Sequence, residues 1–394
     1  LCQTNTNKAA FVYMPTASTI FARTISVSGT AITYNTESAA PTNAPATTVL
    51  SICQTNTDEA VIGYMVSGQN PIAIPVSTSA TTATFPSSII NTSATSCYWV
   101  GVTPTAATGG FVILYRNSSS NSIYGNACTI TAGTITGGTQ NTAVSYGAAY
   151  LGTPQAPNGW LQTSYLSPGK ALMYAHNVAS TSSTGPSYGS LIRASGLTFT
   201  TPTTYYYSGV TGSSTYYNLS SCFMATDTAV LSCSTATNTS AVVATASGYS
   251  LSFGGILSAY TTSIYSRIKY LSSNKFLWIC YDSAGSRNSI VTASGTTLTN
   301  NTPILGPSLY SSLYDWDVVV NSPTKQTVIY RDNEVGVSTY SINVSGNILS
   351  LTSPVKLNST TNTLVSAAPV GNNTVVVYQT AGIGYAQIAQ FIKE

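Results

Sequence analysis

The chain has 394 residues, 43% of them hydrophobic and only 6% charged, with 13 Lys and Arg against 10 Asp and Glu. A soluble domain carries about 25% charged residues, so hydroxyls and amides must do most of the solvation here, and Ser and Thr fill 117 positions. The mean hydropathy of +0.16 raises the question of a membrane protein, but no apolar run is long enough for a spanning helix.

Abundant aromatic and β-branched residues argue against disorder. A near-balanced charge without any basic block argues against nucleic acid as a partner. Between Glu59 and Asp227 no acidic residue occurs, and Arg116, Lys170, Arg193 and His176 are the basic residues of that stretch. A surface with so few ions is little affected by salt, which suits an extracellular or particle-surface setting. Plain compositional bias would give the same reading.

Taken in chain order, a strand-like run ending in Tyr appears first as KAAFVY, closing on Tyr13. It returns as AVIGY (Tyr64), FVILY (Tyr115), KALMY (Tyr174), AVLSC (Cys233), FLWICY (Tyr281), TVIY (Tyr330) and TVVVY (Tyr378). These are eight copies of one unit, spaced at the roughly 50-residue period of a repeat architecture. Within each unit the segments read alike. A first strand such as TVLSIC (48–53) or DWDVVV (315–320) leads to a tight polar turn, for instance NTDE (56–59), SPGK (167–170) or SPTK (322–325). The Tyr strand follows, then a second turn such as DSAGSR (282–287) or RDNEVG (331–336). A third strand ends in a small-residue turn at Gly29, Gly133, Gly196, Gly248, Gly295 and Gly346, with Ser79-Ala80 in the second copy. Gly there supplies the positive φ that such a turn needs. A fourth strand closes the unit, as in AITY (31–34) or YSLSF (249–253). Short apolar runs bounded by Gly, Asn, Asp, Ser and Pro are strand and hairpin signals, and no segment shows capped helical periodicity.

Four strands in each repeat predict an all-β fold, a β-propeller of four-stranded antiparallel blades. Each sheet has two faces to bury, and a ring of neighbours covers both while leaving short outer edges. The repeats predict eight blades, with seven as the alternative if one copy is atypical. The whole of 1–394 reads as one propeller domain, with blades near 1–46, 47–92, 93–145, 159–210, 215–260, 263–307, 313–357 and 362–394. Cys2 stands as far before Tyr13 as Cys53 does before Tyr64, and Glu394 falls where the Ser-Gly turn of the eighth copy would begin. Most of the first strand of copy one and the fourth strand of copy eight are therefore expected to be lacking, as in a processed or partial product.

Seven Cys cannot all pair internally. Cys2, Cys53 and Cys222 share one repeat position, and packed sheets lie about 10 Å apart, too far for a bridge. They read as small buried hydrophobes. No CxxC is present to suggest zinc, and no cofactor is implied. Eight N-x-S/T sequons, at Asn91, Asn117, Asn218, Asn238, Asn300, Asn343, Asn358 and Asn372, match the number chance gives in so Asn- and Ser/Thr-rich a chain and carry no weight.

Catalytic chemistry finds little support. The single histidine, His176, has no motif around it. Asp315 and Asp317 flank Trp316 and would share one face of a strand, the best carboxylate pair for glycoside chemistry. Most other acids sit in turns. The chain is read as non-enzymatic. Binding has better footing: the turns after the Tyr strands should share one face of the ring and carry Arg116, His176 and Arg331. Tyr205, Tyr206, Tyr207, Tyr216 and Tyr217 cluster between copies four and five. Exposed aromatic rings among hydroxyls suit sugar CH faces, while alternating Tyr also simply fill a sheet.

The hairpin-plus-Ser-Gly units YDSAGSRNSIVTASGTTLT and YRDNEVGVSTYSINVSGNILS resemble the repeat of β-propeller proteins in tailed bacteriophages and other viruses. The likeness runs over nearly the whole chain, with copies two and five departing from it. It implies a structural or host-attachment component of a virus particle, at the virion surface or outside cells. Its partners would be other virion or surface-assembly proteins and a host-surface glycan, with no nucleic acid and no membrane span. The alternatives are a secreted or cell-surface glycan-binding, lectin-like propeller, and behind it a glycosidase.

Overall fold

The computed structural model describes residues 1–16, 19–29, 31–40, 50–66, 70–79, 82–86, 90–91, 97–105, 108–117, 122–145, 161–176, 187–201, 204–207, 216–235, 238–261, 265–272, 274–282, 285–307, 316–331, 336–358, 365–370, 373–380 and 383–389. Every regular element among them is a β-strand. Each repeat forms one antiparallel meander, with its first strand followed by the Tyr strand, the third strand and an outer strand. In blade 6, for example, Tyr265–Ser272, Lys275–Asp282, Gly285–Ser294 and Thr297–Asn300 pair in that order, and Ile304–Leu305 adds to the third strand beyond a break. The break carries Pro303, and Pro354 and Gly254-Gly255 hold the same place in blades 7 and 5. Pro and Gly interrupt a ladder there at little cost because the strand is an edge.

The expected number of blades is corrected. Among the described residues seven sheets have four or more strands, and the last repeat supplies a sheet of three, Val365–Val370, Asn373–Thr380 and Ile383–Ala389. Counting Tyr strands gave eight because that motif marks only the second strand of a unit. A full blade also needs the outer strand, which the last repeat does not show among the described residues. The seven-blade alternative is the one that holds, with the three-stranded sheet filling the sector between blade 7 and blade 1. At the other end, Cys2–Asn5 is a short first strand paired with Lys8–Thr16.

No single core exists; apolar residues are buried in seams between sheets. Successive residues of a strand point to opposite faces, so a Tyr strand buried on both sides serves two seams. Val112 and Leu114 face Met173, Ile192 and Phe199 of blade 4, whereas Phe111, Ile113 and Tyr115 face Val61 and Ala73 of blade 2. That explains why these strands read as continuous apolar runs instead of alternating ones. The repeat tyrosines Tyr64, Tyr115, Tyr174, Tyr281, Tyr330 and Tyr378 are all buried. The same logic closes the circle: Val370, Val375 and Val377 of the three-stranded sheet pack with Phe11, Ile25 and Val27 of blade 1. Its other face packs Val376 and Tyr378 against Val319 and Ile329 of blade 7. First strands of consecutive sheets meet around the axis, including the first with the last.

The turn chemistry follows the sequence. Gly29, Gly133, Gly196, Gly248, Gly295 and Gly346 adopt φ between 54° and 78°. All seven cysteines are free thiols, five of them buried and Cys2 and Cys222 half-buried. Burial pushes the Cys97, Cys128 and Cys222 thiols up to about 12, as expected of inert packing residues.

Candidate functional site

The sites expected from sequence are scattered. Arg116 and Arg331 are half-buried and lie in or at the end of the second strands Gly110–Asn117 and Lys325–Arg331, one residue after the repeat tyrosine. His176 ends the corresponding strand of blade 4 and pairs with Ser187; its side chain lies outside the described residues. All three backbone positions lie towards the ends of their strands that lead into the second turn. The tyrosine cluster divides. Tyr205, Tyr206 and Tyr207 belong to the outer strand of blade 4, paired with Gly189, Tyr188 and Ser187. Tyr216 and Tyr217 start the first strand of blade 5, next to the axis. The two groups thus take opposite radial positions, and their side chains lie outside the described residues. Asp315 lies outside them too, so the paired-carboxylate arrangement has one described member.

That member, Asp317, is tied into the ring. It accepts from the Ala367 backbone N–H of the next sheet (3.1 Å) and from the Val318 N–H (2.8 Å), with Lys269 of blade 6 at 4.0 Å. Burial pushes its carboxyl up, but the Lys269 and Arg267 charges and the two backbone bonds outweigh this and hold it below the ordinary range. An anion so fixed is not a general acid. Ser51 and Ser220 do the same work at the same repeat position, accepting from Val102 and Ile268 of the following blades. These bonds satisfy inner-edge N–H groups that a ring of sheets leaves without a strand partner.

A second inter-sheet device sits on the first-turn face. In blades 1, 2, 4 and 6 the residue that opens the Tyr strand reaches across to the next sheet. Lys8 contacts the Thr78 and Ser79 carbonyls and Asp58 of blade 2, and Lys275 donates to the Gly346 carbonyl of blade 7. Glu59 accepts from the Gly133 N–H of blade 3. Lys170 pairs with Asp227 of blade 5 at 2.6 Å. These first-turn charges, on the face opposite Arg116, His176 and Arg331, are therefore engaged in holding sheets together.

On this face the seam between blades 4 and 5 sets exposed aromatic rings beside its charges. Asp227 sits in a turn at φ 60° and accepts from Ser167 Oγ and Lys170 Nζ of blade 4, both at 2.6 Å. Desolvation raises its carboxyl, yet those hydrogen bonds and the Lys170 and Arg193 charges outweigh it and leave it lowered. Tyr165 of blade 4 meets Phe223 of blade 5 at 6.5 Å between ring centroids. On the third strand of blade 4, Arg193 places its guanidinium 4.1 Å from the ring centroid of Tyr249 in blade 5. Phe223 is 40% exposed and Tyr249 64%. Aromatic surface flanking a hydrogen-bonded ion pair is an arrangement for recognition of a polar ligand with apolar faces. Sequence reading missed it because its residues come from three turns and two repeats. The available signal was that Arg193 and Asp227 are rare charges in an otherwise ion-poor stretch. Among the described residues no group of His, Cys, Asp and Glu is placed to hold a metal ion.

No family model matches the chain, and no curated protein matches it in sequence. Solved structures do match in fold. Sqt1 of Saccharomyces cerevisiae aligns over 99% of this chain and 98% of its own, at TM-score 0.56 and 9% identity. The Dos1 propeller aligns over 94% and 90%, at 0.55 and 11%. A protein from Lactobacillus plantarum aligns over 90% and 96%, at 0.53 and 12%. None of these is a viral tail or fibre protein, so the viral part of the sequence resemblance gains nothing from them. At such identities the likeness carries the architecture alone: the chain is a β-propeller.

Proposed function

We propose that this propeller is a non-enzymatic attachment scaffold displayed on a surface, with a structural or host-attachment role in a virus particle as its setting. The observation that carries this reading is how the described acids are used. Asp58, Asp227 and Asp317 each bind groups of a neighbouring sheet, so carboxylates that would serve hydrolysis instead hold the ring. The ion-poor composition and the repeat's likeness to virion propellers support the setting. Partners would be other particle proteins on one side and a host-surface glycan on the other.

Fractionation of the native source tests the proposal. The chain should co-sediment with intact particles and be reached there by antibody. A soluble chain absent from particles would overturn the virion setting, and glycoside turnover abolished by Asp317→Asn would overturn the non-enzymatic reading. A secreted lectin-like propeller is the second reading, favoured by the exposed Phe223 and Tyr249 beside the Lys170–Asp227 pair.

A further inference from the structure

The charged groups of this chain are few, and several of the described ones are tied down. Arg23 pairs with Glu37 at 2.9 Å, Arg267 donates to the Trp316 carbonyl at 3.0 Å, and Lys8, Lys170 and Lys275 reach neighbouring sheets as described. Arg193 differs. It donates to no acceptor among the described residues, and its contact is the face of Tyr249. The guanidinium is thus seated over the ring, with its N–H donors taken up by no acceptor among the described residues. Stacking on an aromatic face leaves the in-plane fork of an arginine directed outward, the geometry that receives a carboxylate through two parallel bonds.

The surroundings define the ligand further. Arg193 pairs in the ladder with Lys170, whose charge is matched by Asp227, so the locality holds two cations against one carboxylate and is net positive. Tyr249, with Arg193 over its ring, is still 64% exposed and adds apolar surface beside these charges. An anion alone has no use for that apolar surface, whereas a sugar ring presents CH groups to it. We infer that the seam between blades 4 and 5 binds a carboxylate-bearing sugar. Its acid group lies against the Arg193 fork, and its ring lies on the exposed surface of Tyr249. This site rests on the surface-attachment reading for its biological use, but not for its chemistry.

The test is a panel of oligosaccharides ending in uronate or sialate residues, with neutral and sulfated counterparts, presented to the intact chain. Carboxylated sugars should bind, and neutral counterparts should not. Arg193→Gln, Arg193→Lys and Tyr249→Ala should each weaken binding about tenfold or more, since a charge-assisted bond exceeds the energy of one decade. Lys356→Gln, in the Val355–Asn358 strand of blade 7, should leave it unchanged. Melting temperatures of the variants near that of the unsubstituted chain establish that they are folded. Absence of binding by the intact chain, equal binding of neutral sugars, preference for sulfated ones, or full binding by Arg193→Gln would overturn the site. Particle association that survives while sugar binding fails would reject this inference and leave the attachment scaffold standing.

Discussion

The side-chain amide of Asn373 donates to the carbonyl oxygen of Gly29 across 2.8 Å, although the two stand 344 residues apart in sequence. Asn373 opens the second strand of the three-stranded sheet, and Gly29 is the third-turn glycine of blade 1. Lys275 and Gly346 make the same contact between blades 6 and 7. The closure of the ring therefore repeats a contact used between consecutive blades, although its sheet has fewer strands. Asn373→Ala should lower unfolding stability by about 0.5–1 kcal/mol, the low end for a hydrogen bond because this one is exposed. Urea titration reads it, and an unchanged midpoint would show that the contact does not contribute.

Asp227 gives a pH dependence with a definite sign. Its folded carboxyl is held below the ordinary value, so the unfolded chain binds the proton more readily. The contribution is complete above the unfolded value and is lost as pH falls through the lowered folded one. The pair with Lys170 is partly exposed, which limits the effect to about 1 kcal/mol or less. In Asp227→Asn the acid-side slope of stability against pH should be shallower than in the unsubstituted chain. Identical slopes would mean that the Lys170 contact does not form in solution.

Close approach between sheets makes another site sensitive. A Cβ on Gly254, after the outer strand of blade 5, would fall on the backbone carbonyl of Thr296 in blade 6. Backbone cannot rotate away as a side chain tip does, so Gly254→Ala should cost about 1–3 kcal/mol. Gly255→Ala, with open space around it, is the control and should be near neutral. Thermal unfolding of the pair decides the matter.

The thiols should be silent in the native state. Burial raises Cys97, Cys128 and Cys222 to about 12, and thiolate is the reactive form. An aromatic disulfide reagent at neutral pH should react slowly with the folded chain and with seven groups after denaturation. Rapid native labelling of several thiols would show that the seams open readily.

Much of this architecture was legible in the sequence, because a repeated strand buried on both faces writes an apolar run, and each Ser-Gly turn marks where φ turns positive. The number of full blades was less legible, since the Tyr strand signals a unit without reporting how many strands follow it. The site was the hardest part. Asp227, Arg193 and Tyr249 are ordinary residues in their own turns and acquire meaning only when blades 4 and 5 are laid side by side. Conversely, Asp317 formed with Asp315 the best carboxylate pair in the sequence, yet its place on the first strand makes it an acceptor for the next sheet's backbone.

The central claim is that the first and last sheets are packed together, and a double-mutant cycle between Phe11 and Val377 tests it most directly. Both side chains are 5% exposed and belong to the one seam that joins the two ends of the chain. Phe11→Ala and Val377→Ala should each destabilise, and together they should deviate from the sum by about 0.5–3 kcal/mol, as residues sharing a core do. Strict additivity, within about 0.3 kcal/mol, would mean that the seam is not formed and that the ring is open.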